Sequence, residues 1–222
     1  MPSTAWVWRQ RWDSVLLLHY RVDREALAPW LPSALEIDEH DGSAWVSLVP
    51  FRMLNVRPRG MPALAPLSNF AELNLRTYVR HADKPGVFFL RILAAKRSAA
   101  WLARTLSPLP YVYAPLTLSL HGAGLSFRSD GLDVDASIGG AASATDEQDR
   151  FLTERYCLYA STARGIDRAE VHHGPWPLVH VRARVHNNAL LAGLGVRNAN
   201  VPDCVHYSRG VEVVAWPSRR VA

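Results

Sequence analysis

The chain has 222 residues, 49% of them hydrophobic and 20% charged, which fits a globular protein able to bury its own core without disulfides or metal. No apolar run approaches the roughly 18–20 residues a membrane span needs, and the opening residues lack the basic-then-apolar pattern of a secretion signal. The formal charge is +5, but acidic residues are interspersed among the 25 lysines and arginines, so no nucleic-acid-binding face is expected and the chain reads as cytoplasmic.

In chain order, residues 14–22 read as a strand. Asp23 can cap a short helix through Leu31, with Glu25 in the first turn and Pro32 as its stop. Asp41-Gly42 signals a tight hairpin between strands at 35–38 and 44–53. Residues 58–68 hold three prolines and one glycine and read as a loop, either a rim or lid or a surface-packed connection. Residues 71–80 alternate: Leu73, Leu75, Thr77 and Val79 share one face, and Glu72, Asn74, Arg76 and Tyr78 share the other. A strand at 87–95 is apolar on both faces except for Arg91, and a helix at 98–106 ends near Pro108.

Alternation resumes over 111–120, with Tyr111, Tyr113, Thr117 and Ser119 on one face. His121-Gly122-Ala123-Gly124 and Ser129-Asp130-Gly131 are hairpin turns around a further strand. Residues 139–144 form a small-residue, flexible stretch, and Asp146 can cap a helix through Thr153. Strands follow at 155–160, 169–172 and 179–186. Asn187 can cap a helix over 189–194, and a strand at 211–216 closes the chain. Many short strands with few helices predict an α+β fold dominated by an antiparallel sheet, and closure into a barrel would remove unpaired edges. One domain spanning residues 1–222 is expected.

Cys157 and Cys204 fit a reducing compartment and lack C-x-x-C spacing, so they read as small buried hydrophobes, with a disulfide between them left open. His172 and His173 are adjacent and point to opposite sides of a strand, while His180 and His186 lie too far apart on one face to share an ion; no metal site is expected.

The run Tyr20-Arg21-Val22-Asp23-Arg24-Glu25-Ala26-Leu27, then Leu31-Pro32 and Leu35-Glu36-Ile37-Asp38, resembles the opening Y-R-T-D-x-x-A-L-x-x-x-x-P-x-x-L-E of the acetoacetate decarboxylase superfamily. Phe70-Ala71-Glu72 matches its aromatic-x-Glu. The family's aromatic-Pro-Lys-Lys segment corresponds to Leu109-Pro110-Tyr111-Val112 here, so the imine-forming lysine position falls on Tyr111. Val49-Pro50-Phe51-Arg52-Met53, the run from Glu72 to Val79, Glu154-Arg155-Tyr156-Cys157-Leu158-Tyr159, and Val171-His172-His173-Gly174-Pro175-Trp176-Pro177-Leu178 resemble a bacterial group of uncharacterised proteins related to the decarboxylase. The likeness covers roughly residues 11–217. It implies a predominantly antiparallel β-barrel or cone of the acetoacetate decarboxylase type, with a few short peripheral helices and an internal pocket. Because related folds associate, it also implies a homo-oligomer.

Imine chemistry needs a primary amine of lowered pKa; acetoacetate decarboxylase itself is a standard example. This chain has only Lys84, in a turn signal, and Lys96, leading into the helix at 98–106, so imine-forming decarboxylation is expected to be absent. Glu72 falls on the family's acidic active-site residue, and its distance along the chain from Tyr111 matches the family's spacing without a gap. If that strand face lines a cavity, burial raises the Glu72 pKa; the competing reading is a solvated polar face. Tyr111 could steady an oxyanion or simply pack and hydrogen-bond. Arg11, Arg76, Arg91 and Arg155 are candidate carboxylate holders, and Arg91 could instead pair with Glu72. Tyr113 shares the Tyr111 face, His173 is a candidate proton donor, and Trp176 is expected across the barrel mouth.

Two functions are compatible with these residues. One is a cofactor-independent enzyme of lyase, hydratase or isomerase type for a small carbonyl or carboxylate compound. The other is a non-catalytic small-ligand-binding protein on the same fold. No organic-cofactor motif is present, and neither a membrane nor nucleic acid is expected as a partner.

Overall fold

The computed structural model describes residues 2–140 and 145–222; residues 141–144 of the small-residue stretch fall outside them. Its framework starts with a long strand, β1 (Trp8–Val22). A single-turn helix, α1 (Arg24–Leu27), passes into a 3₁₀ turn at Ala28–Trp30 ahead of Pro32. Asp23 stands at the N-cap position but makes no side-chain capping bond. β2 (Glu36–Ile37) and β3 (Ala44–Pro58) flank the Asp41-Gly42 turn, where both residues have positive φ, 51° and 67°. The expected hairpin stops at a His40–Ser43 bridge. The one-turn helix α2 (Ala65–Ser68) ends the proline-rich connection, and β4 (Phe70–His81) follows. β2 pairs with β4 rather than with β3.

β5 (Lys84–Ala94) and α3 (Arg97–Leu106) match expectation closely. The strand expected at 111–120 is instead two: β6 (Tyr111–Tyr113), parallel to β5, and β7 (Leu116–His121) in another sheet. Pro115 lies at the break, where a residue without an N–H cannot continue a ladder. β8 (Gly124–Ser129) and β9 (Leu132–Ser137) complete a meander with β7. α4 (Glu147–Thr153) opens with a capping box, as Asp146 accepts from the Asp149 N–H at 2.7 Å and the Asp149 carboxylate accepts from the Asp146 N–H.

β10 (Cys157–Thr162) and β11 (Gly165–His173) form a hairpin. The strand expected at 179–186 also splits, into β12 (Leu178–His180) and β13 (Arg182–Asn188), because the chain crosses from one sheet to the other at Val181. The helix expected at 189–194 is replaced by turns. Asn187 and Asn188 end β13, and the Asn188 amide donates to Ala199 O and the Tyr20 hydroxyl rather than capping a helix. β14 (Cys204–Ala215) and the short β15 (Arg219–Arg220) complete the chain. Cys157 and Cys204 are both free thiols. Among the described residues no helix is long and apolar enough to cross a membrane.

Seven strands close on themselves in the order β14-β1-β3-β4-β5-β10-β11, and β11 returns to β14 through Val171↔Ala215 and His173↔Val213. Every contact in this ring is antiparallel except β5–β10. At that junction the strands approach so closely that a Cβ on Gly86 would meet Cys157 O at 2.7 Å. A four-stranded sheet, β13-β9-β8-β7, covers the outer face. Leu16, Leu18, Leu48, Leu73 and Leu75 pack there against Leu116, Leu125, Phe127 and Val134.

The inner face carries Val15, Leu17, Val49, Phe51 and Val213, with Trp45, Tyr78 and Phe89 toward one end beneath Leu152 of α4. Three bulges shift which residues point inward. Ser14 (φ 52°) separates inward Trp12 from inward Val15 where β1 shifts register against β3, and the preceding Asp13 pairs with Gly210 of β14, where a Cβ would lie 2.0 Å from Trp12 O. Asn55 (φ 56°) does the same on β3. On β5, Leu75 pairs with Arg91 but Arg76 with Phe89, leaving Leu90 as the extra residue.

Candidate functional site

Inside the ring lies a cavity of about 250 Å³. Trp8 and Trp12 of β1, Phe51 and Met53 of β3, Phe89 of β5, and Leu102 and Leu106 of α3 give it apolar walls. Glu72 and Asn74 of β4 and Tyr111 of β6 supply polar groups. Glu72 is 1% exposed. Burial pushes its carboxyl from the ordinary carboxylate range up to about 8; hydrogen bonding from Tyr111 and Asn74 offsets only part of that rise. Its Oε2 atom has no hydrogen-bond partner among the described residues. The Tyr111 phenol is held well above its usual range by burial first and by Glu72 second. A neutral acid and a neutral phenol therefore share an apolar chamber at pH 7.

Local sequence explains the placement. Glu72, Asn74 and Arg76 follow the two-residue period of β4, and the central strands of the ring leave them no route to solvent. Pro110 makes the tight turn ahead of β6: its carbonyl accepts from Ile92 N–H, and Tyr111 N–H donates back to Leu109 O. Tyr111 thereby sits beside Ile92, which on its other side pairs with Asn74.

A smaller pocket of about 20 Å³ adjoins the cavity and shares Trp12, Phe51, Asn74 and Phe89 with it. Arg76, Arg155, His173 and Trp176 come together around it. Arg76 is buried; its Nη2 donates to Leu152 O at 3.3 Å, and its Nε has no partner among the described residues. Arg155 is committed elsewhere, with Nη1 2.6 Å from Asp38 Oδ2 and Nε donating to Phe151 O. His173 is packed against Trp12, Tyr156 and Trp176, and burial lowers its pKa. Trp176 donates from Nε1 to Thr153 O at 3.0 Å.

Three other candidates lie away from the cavity lining. Arg11 points outward from β1 and pairs with Asp13 at 3.1 Å and with Glu212. Arg91 is exposed, because the bulge at Leu90 turns it out of the inward phase, and it makes no ion pair with Glu72 among the described residues. Tyr113 is 38% exposed, with the Arg97 guanidinium 4.6 Å over its ring. Neither lysine lines the cavity; Lys84 pairs with Glu170 at 3.1 Å, and Lys96 precedes α3.

Sequence reasoning missed one group. Asp149 of α4, His180 of β12, and Cys204 and His206 of β14 present side-chain donor atoms all within 4.8 Å of one another. Only the pairing of β12 with β14 and the seating of α4 bring them together, so no local pattern announces them.

A ring of this topology is the acetoacetate decarboxylase-like fold. The structure is similar to an acetoacetate decarboxylase from Legionella pneumophila subsp. pneumophila str. Philadelphia 1, with TM-score 0.72 and 13% identity over 100% of this chain and 92% of that one. It is also similar to the enduracididine biosynthesis enzyme MppR complexed with pyruvate, with TM-score 0.63 and 13% identity over 97% of this chain and 90% of that one. At these identities the likeness is one of fold. The chain belongs to the DUF2071 family, described as an uncharacterized conserved protein, whose pattern matches residues 9–212. The uncharacterized protein YqjF of Bacillus subtilis (strain 168) is 34% identical over 229 residues, covering 99% of this chain and 95% of that protein. The family resemblance and the barrel class expected from the motifs are both borne out.

Proposed function

We propose that this protein is a cofactor-independent enzyme of the lyase or proton-transfer type, acting on a small carbonyl or carboxylate compound without a lysine imine. The observation that carries this reading is Glu72: an acid raised to about 8, one oxygen unpartnered, facing an apolar chamber beside Tyr111. The large majority of buried side-chain polar atoms in folded proteins find a hydrogen-bond partner, so an unpartnered carboxyl oxygen aimed into a chamber favours a role beyond holding the fold. An acid near neutrality that keeps a free oxygen toward a chamber suits proton exchange with a bound substrate.

In the proposed reaction Glu72 delivers or removes a proton at carbon or oxygen, and the Tyr111 hydroxyl donates to the oxygen that gains charge. Arg76 is the cation best suited to hold a carboxylate, since its Nε lacks a partner whereas Arg155 already engages Asp38. That the solved fold neighbour MppR is complexed with pyruvate supports testing 2-oxo and 3-oxo acids first.

The test is proton–deuterium exchange into a panel of such acids in heavy water, followed by NMR. Wild type is expected to exchange protons next to the carbonyl, with Glu72→Gln reduced about 100-fold or more. Ligand binding without exchange, kept in Glu72→Gln and Tyr111→Phe, would instead make the protein a binder. Borohydride trapping of an adduct on Lys84 or Lys96 would overturn the imine-free mechanism.

A further inference from the structure

The opposite end of the ring holds a side-chain cluster that the proposed chemistry does not use. We propose that Asp149, His180, Cys204 and His206 form a tetrahedral site for a zinc-class divalent cation. Cys204 and His206 are two apart on β14 and so share a face. His180 is the direct cross-strand partner of His206, and their ring centroids are 4.4 Å apart. Asp149 approaches the same face from α4. One of its oxygens lies 2.7 Å from His206 Nε2, and the other lies 3.1 Å from His180 Nε2. Cys204 Sγ is 3.6 Å from His206 Nε2.

Zinc bonds of about 2.0–2.3 Å to nitrogen, oxygen and sulfur imply donor-to-donor edges of roughly 3.3–3.6 Å in a tetrahedron. The donor atoms lie from 2.7 Å to at most 4.8 Å apart, so an ion at their centre would draw the wider pairs together by about an ångström. A thiolate, two imidazoles and one carboxylate form a borderline donor set, wrong for calcium or magnesium and suited to zinc. Four protein donors also fill the coordination shell, which is the pattern of a structural site.

A second observation lies alongside. His19 is the cross-strand partner of Cys204 and is fully buried, with its ring 5.2 Å from that of His206. Its Nδ1 engages the Ser47 hydroxyl at 2.7 Å, while its Nε2 has no partner among the described residues. A buried, unsatisfied imidazole nitrogen beside four potential ligands is a further donor directed at this end of the ring.

A Cys-His-Asp nucleophile explains the cluster less well. That arrangement sets thiol and carboxylate on opposite nitrogens of the histidine. Here both Sγ and the Asp149 oxygen approach Nε2 most closely, as ligands around a common centre do. Metal binding would fasten α4 to β12 and β14. The carbonyls at the end of α4 receive Arg76, Tyr78 and Trp176, so the ion would fix one wall of the smaller pocket.

The test uses the untagged full chain, stripped with chelator and titrated with Co²⁺ and then Zn²⁺. We expect one Co²⁺ per chain, with the intense visible bands of tetrahedral cobalt and a thiolate charge-transfer band, both displaced by one equivalent of Zn²⁺. Cys204→Ser should lose the charge-transfer band. His180→Ala removes a half-exposed ligand that folding can spare, and should weaken Co²⁺ binding at least ~10-fold. Sub-stoichiometric binding, or a spectrum unchanged in both variants while their circular dichroism matches wild type, would overturn the site.

Discussion

Tyr111 and Glu72 meet across an intervening strand: β6 carries the phenol, β4 carries the carboxyl, and Ile92 of β5 pairs with Tyr111 on one side and Asn74 on the other. Neither residue is charged at pH 7, because burial raises both. The pair can therefore hand over a proton without first stripping water from an ion.

The first consequence is in stability. A carboxyl whose folded pKa is raised binds more protons in the folded than in the unfolded state, so its contribution is present at low pH and is lost as pH climbs from the unfolded value toward about 8. The loss is on the order of a few kcal/mol. His173 has a lowered value, chiefly through burial, and acts in the opposite sense below about pH 6.5. Urea midpoints at pH 5 and 8 should fall more steeply with pH in wild type than in Glu72→Gln; equal slopes would count against a buried neutral acid.

Tyr111→Phe removes a hydrogen bond that favours the ionised carboxylate. Glu72 should then titrate at still higher pH, shifting the alkaline limb of any activity profile upward. A downward shift would mean that the phenol does not act on Glu72.

Arg155→Met removes the 2.6 Å partner of Asp38 and leaves only the half-exposed Arg80 guanidinium at 3.2 Å. The loss should be about 1.5–3 kcal/mol in chemical denaturation. Arg11→Met, which breaks a half-exposed pair, should stay within about 1 kcal/mol. Similar losses in the two variants would refute the assigned difference in burial.

Gly210→Ala places a methyl group against the Trp12 carbonyl at φ 117°. It should destabilise by about 2–3 kcal/mol, while Gly42→Ala, with open space around it, should lose less. Matching thermal midpoints would argue against the close approach of Gly210 to the β1 backbone at Trp12.

Much of this arrangement was legible in the chain. Alternation over residues 71–80 separated the two faces of β4, the superfamily motifs favoured the Glu72 face as the inward one and indicated the barrel, and the Asp146 cap placed α4. Strict alternation failed where bulges intervene, which is why Arg91 was expected inside and stands outside. It failed again where the chain changes sheets, at Pro115 and at Val181, because local propensity carries no record of which neighbour a strand will pair with. The same limit hid the Asp149–His180–Cys204–His206 group, assembled by ring closure and by a helix distant in sequence. Arg155 looked like a free cation because its partner, Asp38, lies far back along the chain.

The protonation state of Glu72 is the most direct test of the account. Infrared difference titration of wild type against Glu72→Gln reads the carboxyl C=O band of that one residue. Glu72 should show a protonated band at pH 7 that is lost as pH rises through about 8. A band already lost by pH 5–6 would describe a solvated carboxylate and contradict it.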